Sequence, residues 1–166
     1  VGSEMCIRDS IYMDTDVEVA KSLDDMLYQQ AFCGVEKWQT INFGGCSGAI
    51  KGHRAIRKFL DGRKKISFYN MDGSKNRNTC GFYDTNIAIG NGYQINGTTQ
   101  NIMDMNIYAF DYFHPYDYMS GQTVRTKNTY TIHRFNGGWL DEKMRKDNIN
   151  TANEYDRIYQ KCINNQ

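Results

Sequence analysis

No stretch of the chain approaches the roughly 18 consecutive apolar residues that a bilayer-spanning helix needs. No segment is therefore expected to cross a membrane. Net charge is also scarce, since 20 Lys and Arg against 19 Asp and Glu leave a formal +1. A chain so balanced lacks the summed positive field with which nucleic-acid binders collect phosphates, so DNA and RNA are set aside as partners. The five cysteines fall in no CxxC or other metal-ligand spacing. They read as reduced thiols, which suits a cytoplasmic compartment. There is a single proline, with no repeat and no low-complexity linker, so the 166 residues are expected to form one domain able to bury about 70% of its unfolded surface.

The first ten residues, VGSEMCIRDS, resemble a sequencing adapter read through in frame and are left out of fold reasoning. From there, Ile11-Tyr12-Met13 is a short apolar run that stops at acidic residues, the pattern of a buried strand opening onto a loop. Ser22 and Asp25 resemble a capping box for a short helix through Leu23, Met26 and Leu27. Ala31 to Val35 reads as a strand. The segment from Ile41 to Ile50 is glycine-rich but lacks GKS or GxGxxG spacing, which points to close backbone approach rather than a phosphate-cradling loop. Ala55, Ile56, Phe59 and Leu60 share one helical face, with Gly62 placed as a C-terminal cap. Short strands are expected at 66–69, 86–89, 105–109 and 129–133. Thr151 and Glu154 form a capping box for a closing helix through Tyr155, Ile158, Tyr159 and Cys162.

The chemistry concentrates at Asp14 and Asp16. Two carboxylates about 4 Å apart repel by about 4 kcal/mol at an effective dielectric near 20, so holding them together calls for a cation. Mn²⁺ or Mg²⁺ accepts carboxylate, imidazole and water ligands and leaves positions open for diphosphate oxygens. An isolated DxD is equally compatible with a solvated acidic turn.

The surrounding text narrows this. IYMDTDVEVAKSLDDML resembles the DXD region of glycosyltransferase family 32, which includes Golgi mannosyltransferases and bacterial capsular polysaccharide transferases. INFGGCSGAIKGHRAIRKFL is similar to that family's glycine-rich strand and KGH-type helix start. TYTIHRFNGGWLDEK is similar to its C-terminal block, in which Thr-Tyr-Ser-Ile-His-His precedes a Ser-Trp pair. The three blocks keep the family order from Ile11 to Lys143. The resemblance implies an α/β fold, the C-terminal, metal-binding portion of a GT-A (Rossmann-like, mixed-sheet) glycosyltransferase, with the nucleotide-base-binding part expected upstream of Ile11. A fragment so composed is expected neither to bind donor tightly nor to turn over. The implied reaction is metal-dependent, retaining transfer of a hexose from a UDP- or GDP-sugar to a glycan or lipid-linked acceptor.

By the same resemblance, Asp14 and Asp16 are the metal ligands, with Asp14 also near the ribose. His133 falls where a further ligand to the metal or the leaving diphosphate is expected; a histidine on a strand also serves as a plain hydrogen-bonded residue. Trp139 matches the family Trp, whose indole N–H is placed to donate to the β-phosphate, against the alternative of a packed aromatic. Two departures stand out: Gly138 replaces the Ser before that Trp, and Arg134 replaces the second His, where it is suited to pair with phosphate. Asn42 and Gly44 match the sugar-side segment, or form an ordinary strand bend. Tyr108 to Tyr118 is aromatic-rich and expected to be mostly core. Lys51, Arg54, Arg57, Lys58, Arg63, Lys64 and Lys65 form a basic cluster, read as a solvated helix face or as a contact to anionic lipid or a lipid-linked acceptor. Peripheral membrane attachment is thus an expectation, at the Golgi if the source is eukaryotic. A haloacid-dehalogenase-type phosphatase also uses DxD but needs Thr or Val where Glu18 stands. A non-catalytic, cation-dependent sugar-binding module is the other alternative.

Overall fold

The computed structural model describes residues 10–137 and, beyond them, helical positions 150, 153, 154, 156, 157 and 159–161. The fold is mixed α/β. Its main sheet runs β1 (Ser10–Tyr12), β5 (Ser47–Ala49), β3 (Ala31–Val35), β7 (Met105–Tyr108), β6 (Gln100–Ile102), with β4 (Ile41–Asn42) also paired to β3. Strands β3 and β7 are parallel and the other pairs antiparallel. Two small antiparallel ribbons complete it: β2 (Val17–Val19) with β10 (Thr131–His133), and β8 (Tyr116–Asp117) with β9 (Gln122–Thr123). The helices are α1 (Arg54–Arg63), α2 (Cys80–Ile89) and the single turn α3 (Phe110–Phe113).

Every residue of β3 is buried, because both faces of this central strand are covered, which is why AFCGV is a continuous apolar run. Ala31, Cys33 and Val35 pack into one core with Ala55, Ile56 and Phe59 of α1, Ala88 of α2 and Ile107 of β7. On the opposite face Phe32 packs with Phe113, Cys46 and Tyr130. Gly34 shares that second face. A Cβ there would lie 2.7 Å from the Phe113 ring and 3.2 Å from His114, so the missing side chain lets α3 and the residue after it sit directly on the sheet.

The strand at the start, β3, β7, α1 and β10 lie close to where the sequence puts them, with β1 beginning one residue earlier, at Ser10, β7 ending at Tyr108 and β10 beginning at Thr131. Other expectations are corrected. Residues 86–89 are the last turn of helix α2, capped by Thr79, whose hydroxyl accepts from the Phe82 amide. The face that α2 buries is Gly81, Asp84, Thr85 and Ala88, a helical spacing written in small and polar residues, so no apolar periodicity betrays it. Residues 66–69 are not a strand. They lead into a turn in which Tyr69 and Lys75 form an isolated bridge. Gly62 is not the C-terminal cap but lies inside α1, which ends at Arg63 with Lys64 as its C-cap. A Cβ on Gly62 would meet the Ile87 side chain at 2.5 Å, so this glycine sets the close approach of α1 and α2. The helix expected after Ser22 shrinks to one 3₁₀ turn, Asp24–Met26. Ser22 accepts from the Asp24 amide, and Asp25 accepts from the Tyr130 hydroxyl instead of closing a box.

Buried Asp84, the polar member of the α2 face, is 1% exposed and receives the Arg63 guanidinium, with Nε 2.7 Å from Oδ1. Arg54 reaches the β6–β7 turn, 2.8 Å from the Asp104 carboxylate. Both central residues of that turn, Met103 and Asp104, have left-handed φ, the twist that a two-residue hairpin requires. Arg54 and Arg63 therefore serve the fold, and the basic cluster around them is smaller than its sequence implies. Cys33, Cys46 and Cys80 are free thiols. Among the described residues no helix is long and apolar enough to cross a membrane. The closing helix is seen at its described positions, with Asp156 near Trp38 and Lys37; Thr151, Tyr155, Ile158 and Cys162 of its expected pattern lie outside the described residues.

Candidate metal centre

Strand β1 hydrogen-bonds along β5 as far as Tyr12 opposite Ser47, and the Asp14 amide then donates to the Gly44 carbonyl at 2.8 Å. The chain turns at once, with the Val17 amide on the Asp14 carbonyl, and enters β2. That strand pairs with β10 in the register Val17 to His133, and the Arg134 amide donates to the Asp16 carbonyl at 3.0 Å. A residue 117 positions away in sequence number from Asp16 is thus delivered to it by a backbone ladder.

The result is a cluster of three donors. One ligand atom from each of Asp14, Asp16 and His133 lies within 4.8 Å of the others. His133 Nε2 is 3.2 Å from Asp16 Oδ1 and 3.6 Å from Asp14 Oδ2. Each carboxylate has its other oxygen tied: the Tyr12 hydroxyl donates to Asp14 Oδ1 at 2.7 Å, and the Asn136 amide donates to Asp16 Oδ2 at 2.8 Å. The tying leaves Asp14 Oδ2 and Asp16 Oδ1 turned toward the imidazole. An ion with bonds of about 2.1 Å sets its ligands about 3 to 4 Å apart, so the triad fits a divalent cation with small adjustment. Two carboxylates and an imidazole suit Mn²⁺ or Mg²⁺ by donor type.

Electrostatics favour the ligand forms. Burial pushes the His133 imidazole below its ordinary range against the pull of Asp16 and Asp14, which favours a neutral ring, the form in which an imidazole nitrogen can serve as a ligand. The Tyr12 phenol is pushed up to about 12 by its hydrogen bond to Asp14, by burial and by the carboxylate charge, so it stays a proton donor to that ligand. Phe135 stacks on His133 with ring centroids 4.0 Å apart. Its left-handed φ of 50° is strain of the kind that persists at over-determined sites, and here it bends the chain so that the next amide meets Asp16.

The wall beside the carboxylates is built of glycine for a reason of space. A Cβ on Gly44 would lie 2.2 Å from Asp14 Oδ2, and one on Gly45 would lie 2.2 Å from His114 Nε2. Asn42 braces this bend: its Oδ1 accepts from the Gly44 amide and its Nδ2 donates to Glu36, both at 2.6 Å. Burial raises the Glu36 carboxyl to about 7, opposed by that Asn42 contact. The Asn42 and Gly44 singled out by the sequence therefore adjoin the centre, with Asn42 acting through the backbone. The Arg134 guanidinium instead contacts Glu18, which also holds Arg125 at 2.6 Å. Trp139 and Gly138 lie outside the described residues.

Sequence reasoning missed Tyr12, Asn136 and His114. Tyr12 had a signal, since it stands two residues before Asp14 on a strand and so points to the same side. Asn136 acts through its amide, which no side chain advertises. His114 is buried behind the site, 5.7 Å from the His133 ring centroid, and Nε2 of His114 and Nδ1 of His133 are both buried without a hydrogen-bond partner. Compared with family models, with curated proteins and with solved structures, the chain gives no match.

Two outcomes follow from this geometry. Gly44→Ala displaces Asp14 Oδ2 and is expected to weaken Mn²⁺ binding by about tenfold or more, as loss of ligand support does elsewhere; titration calorimetry with Mn²⁺ measures it, and unchanged affinity contradicts the placement. His114 is driven to about 3, chiefly by burial and then by His133. Because its folded value lies below the unfolded one, the unfolded chain binds the proton first, and stability falls as pH drops below about 6.5 toward 3. His114→Phe is expected to remove up to about 1.4 kcal/mol per pH unit from that slope, read from urea unfolding at a series of pH values; an unchanged slope contradicts it.

Proposed function

We propose that the Asp14, Asp16 and His133 centre is the metal site of a retaining GT-A-type glycosyltransferase that moves a hexose from a UDP- or GDP-sugar to a glycan or lipid-linked acceptor. The observation that carries the reading is the convergence of the three donor atoms within 4.8 Å at the end of a strand, as the resemblance to glycosyltransferase family 32 requires. A divalent ion, with Mn²⁺ preferred, supplies Lewis-acid polarisation of the leaving diphosphate when bound.

The chain's own groups do the rest. Asp14 and Asp16 contribute the negative charge that selects a cation, and Tyr12 and the Asn136 amide fix which oxygen of each is offered. Neutral His133 adds a ligand without adding charge. Asn42 and Gly44 are assigned to the sugar side of the site, as the family resemblance implies. Trp139 is assigned its family role, donation of the indole N–H to the β-phosphate. The Arg134 guanidinium, engaged with Glu18, is assigned no substrate contact. No protein nucleophile is invoked. The bond from the anomeric carbon to the phosphate oxygen breaks, the acceptor oxygen bonds on the same face, and the acceptor proton passes to the departing phosphate. The setting is assigned to the cytoplasm at a membrane surface.

Two measurements test this. In the full-length protein, Mn²⁺-dependent hydrolysis of UDP- or GDP-hexose is expected to fall by roughly 100-fold or more on Asp16→Asn; unchanged activity sinks the proposal. Nucleoside diphosphate is expected to alter the spectrum of Mn²⁺ bound to that protein, whereas indifference to UDP and GDP together with retained sugar binding identifies a non-catalytic, cation-dependent module.

A further inference from the structure

Between α1 and α2 the chain makes a hairpin remote in sequence from the metal ligands. The Asn76 amide donates to the Phe68 carbonyl and the Asn70 amide to the Ser74 carbonyl, both at 2.8 Å, and the Gly73 amide returns to Asn70. Gly73 supplies the left-handed residue at φ 80°, and Tyr69 faces Lys75 across the turn. Side chains reinforce it: Asn70 Nδ2 donates to Ser74 Oγ, and Ser74 to the Asp72 carboxylate. The hairpin is therefore ordered by its own bonds.

Yet its apolar side chains are not buried. Phe68 is 62% exposed, Tyr69 57% and Met71 fully exposed, and the two rings touch edge to face with centroids 5.0 Å apart. Clustered aromatics left in water on an ordered tip mark a contact surface. Charge indicates with what. Residues 64–77 contain Lys64, Lys65, Lys75 and Arg77 against the single acid Asp72, and all four bases are exposed. Lys64 lies 3.5 Å from exposed Asp61, while among the described residues Lys65, Lys75 and Arg77 have no ion pair.

We propose that the 67–77 hairpin is a membrane-surface anchor that sets Phe68, Tyr69 and Met71 into the interfacial layer of an anionic bilayer, with Lys64, Lys65, Lys75 and Arg77 on the lipid headgroups. Aromatic rings favour that layer because one end of it is wet and the other apolar. Basic residues beside it gain from the negative surface potential. A tip whose hairpin hydrogen bonds are already made enters the headgroup region without a large ordering cost. The inference is independent of the glycosyl-transfer reading, since it needs neither metal nor nucleotide.

Sedimentation of the whole chain with vesicles tests it. Binding is expected to an equimolar mixture of phosphatidylcholine and phosphatidylglycerol, to weaken with added salt, and to be at least about tenfold weaker on phosphatidylcholine alone. Lys75→Ala with Arg77→Ala is expected to cost about 30-fold. Phe68→Ser, Tyr69→Ser and Met71→Ser together are expected to cost at least about tenfold, with far-ultraviolet circular dichroism unchanged. Binding that ignores both sets of substitutions overturns the proposal. So does failure to bind anionic vesicles, including the case in which ultracentrifugation shows the same side chains joining two copies of the chain.

Discussion

The candidate metal centre depends on one backbone contact, the antiparallel pairing of β2 with β10 in the register Val17 to His133. Strand registers are quantised. A slip of one residue would turn the imidazole to the opposite face and bring Ile132 or Arg134 to the acidic turn. The register is held from both sides: His133 is buried against Phe135, while Ile132, on the other face, is wholly buried in the core. Thr131 is pinned through its hydroxyl to the Gly45 carbonyl at 2.9 Å, which ties the ribbon to the glycine wall. Mutual repulsion of Asp14 and Asp16 works against the arrangement, and hydrogen bonds from Tyr12 and Asn136 offset part of it in the absence of any cation.

The second constraint is space. Three glycines, at positions 34, 44 and 45, stand where a methyl group would collide with Phe113, Asp14 and His114 respectively. They allow the β3 layer, the glycine-rich bend and the segment around His114 to close up behind the Asp14, Asp16 and His133 cluster with no side chains between. Compactness here has an electrostatic effect. It keeps water from the rear of His133 and so favours the neutral ring. Structure, protonation state and donor geometry are consequences of the same close packing.

How far the sequence alone could be read varied by residue. Asp14 and Asp16 stood out as paired acids after an apolar run, a weak signal by itself, and strand period showed only that His133 shares a face with two threonines; that the three belong together came from the resemblance to glycosyltransferase family 32. Strand β3 was legible through its uninterrupted apolar composition. Helix α2 was not, since Gly81, Asp84, Thr85 and Ala88 carry its buried face and Asp84 is satisfied by Arg63 from another helix. Nor was the role of Arg134: the sequence offers an arginine beside the site, but only the fold shows Glu18 and Arg125 drawing it into a surface network. Strands β4, β5, β8 and β9 have three residues or fewer and fall below any periodic signal. Contacts made by main-chain groups, such as that of the Asn136 amide with Asp16, are invisible in side-chain chemistry and follow from strand register alone.

The central claim is that His133 and the paired carboxylates bind one ion together. Electron spin-echo spectroscopy of Mn²⁺ added to the protein reads this directly through coupling of the ion to a directly bound imidazole nitrogen. The account predicts a single nitrogen coupling that disappears in His133→Ala and persists in His114→Ala. A spectrum without nitrogen coupling, or one unaffected by His133→Ala, would contradict it.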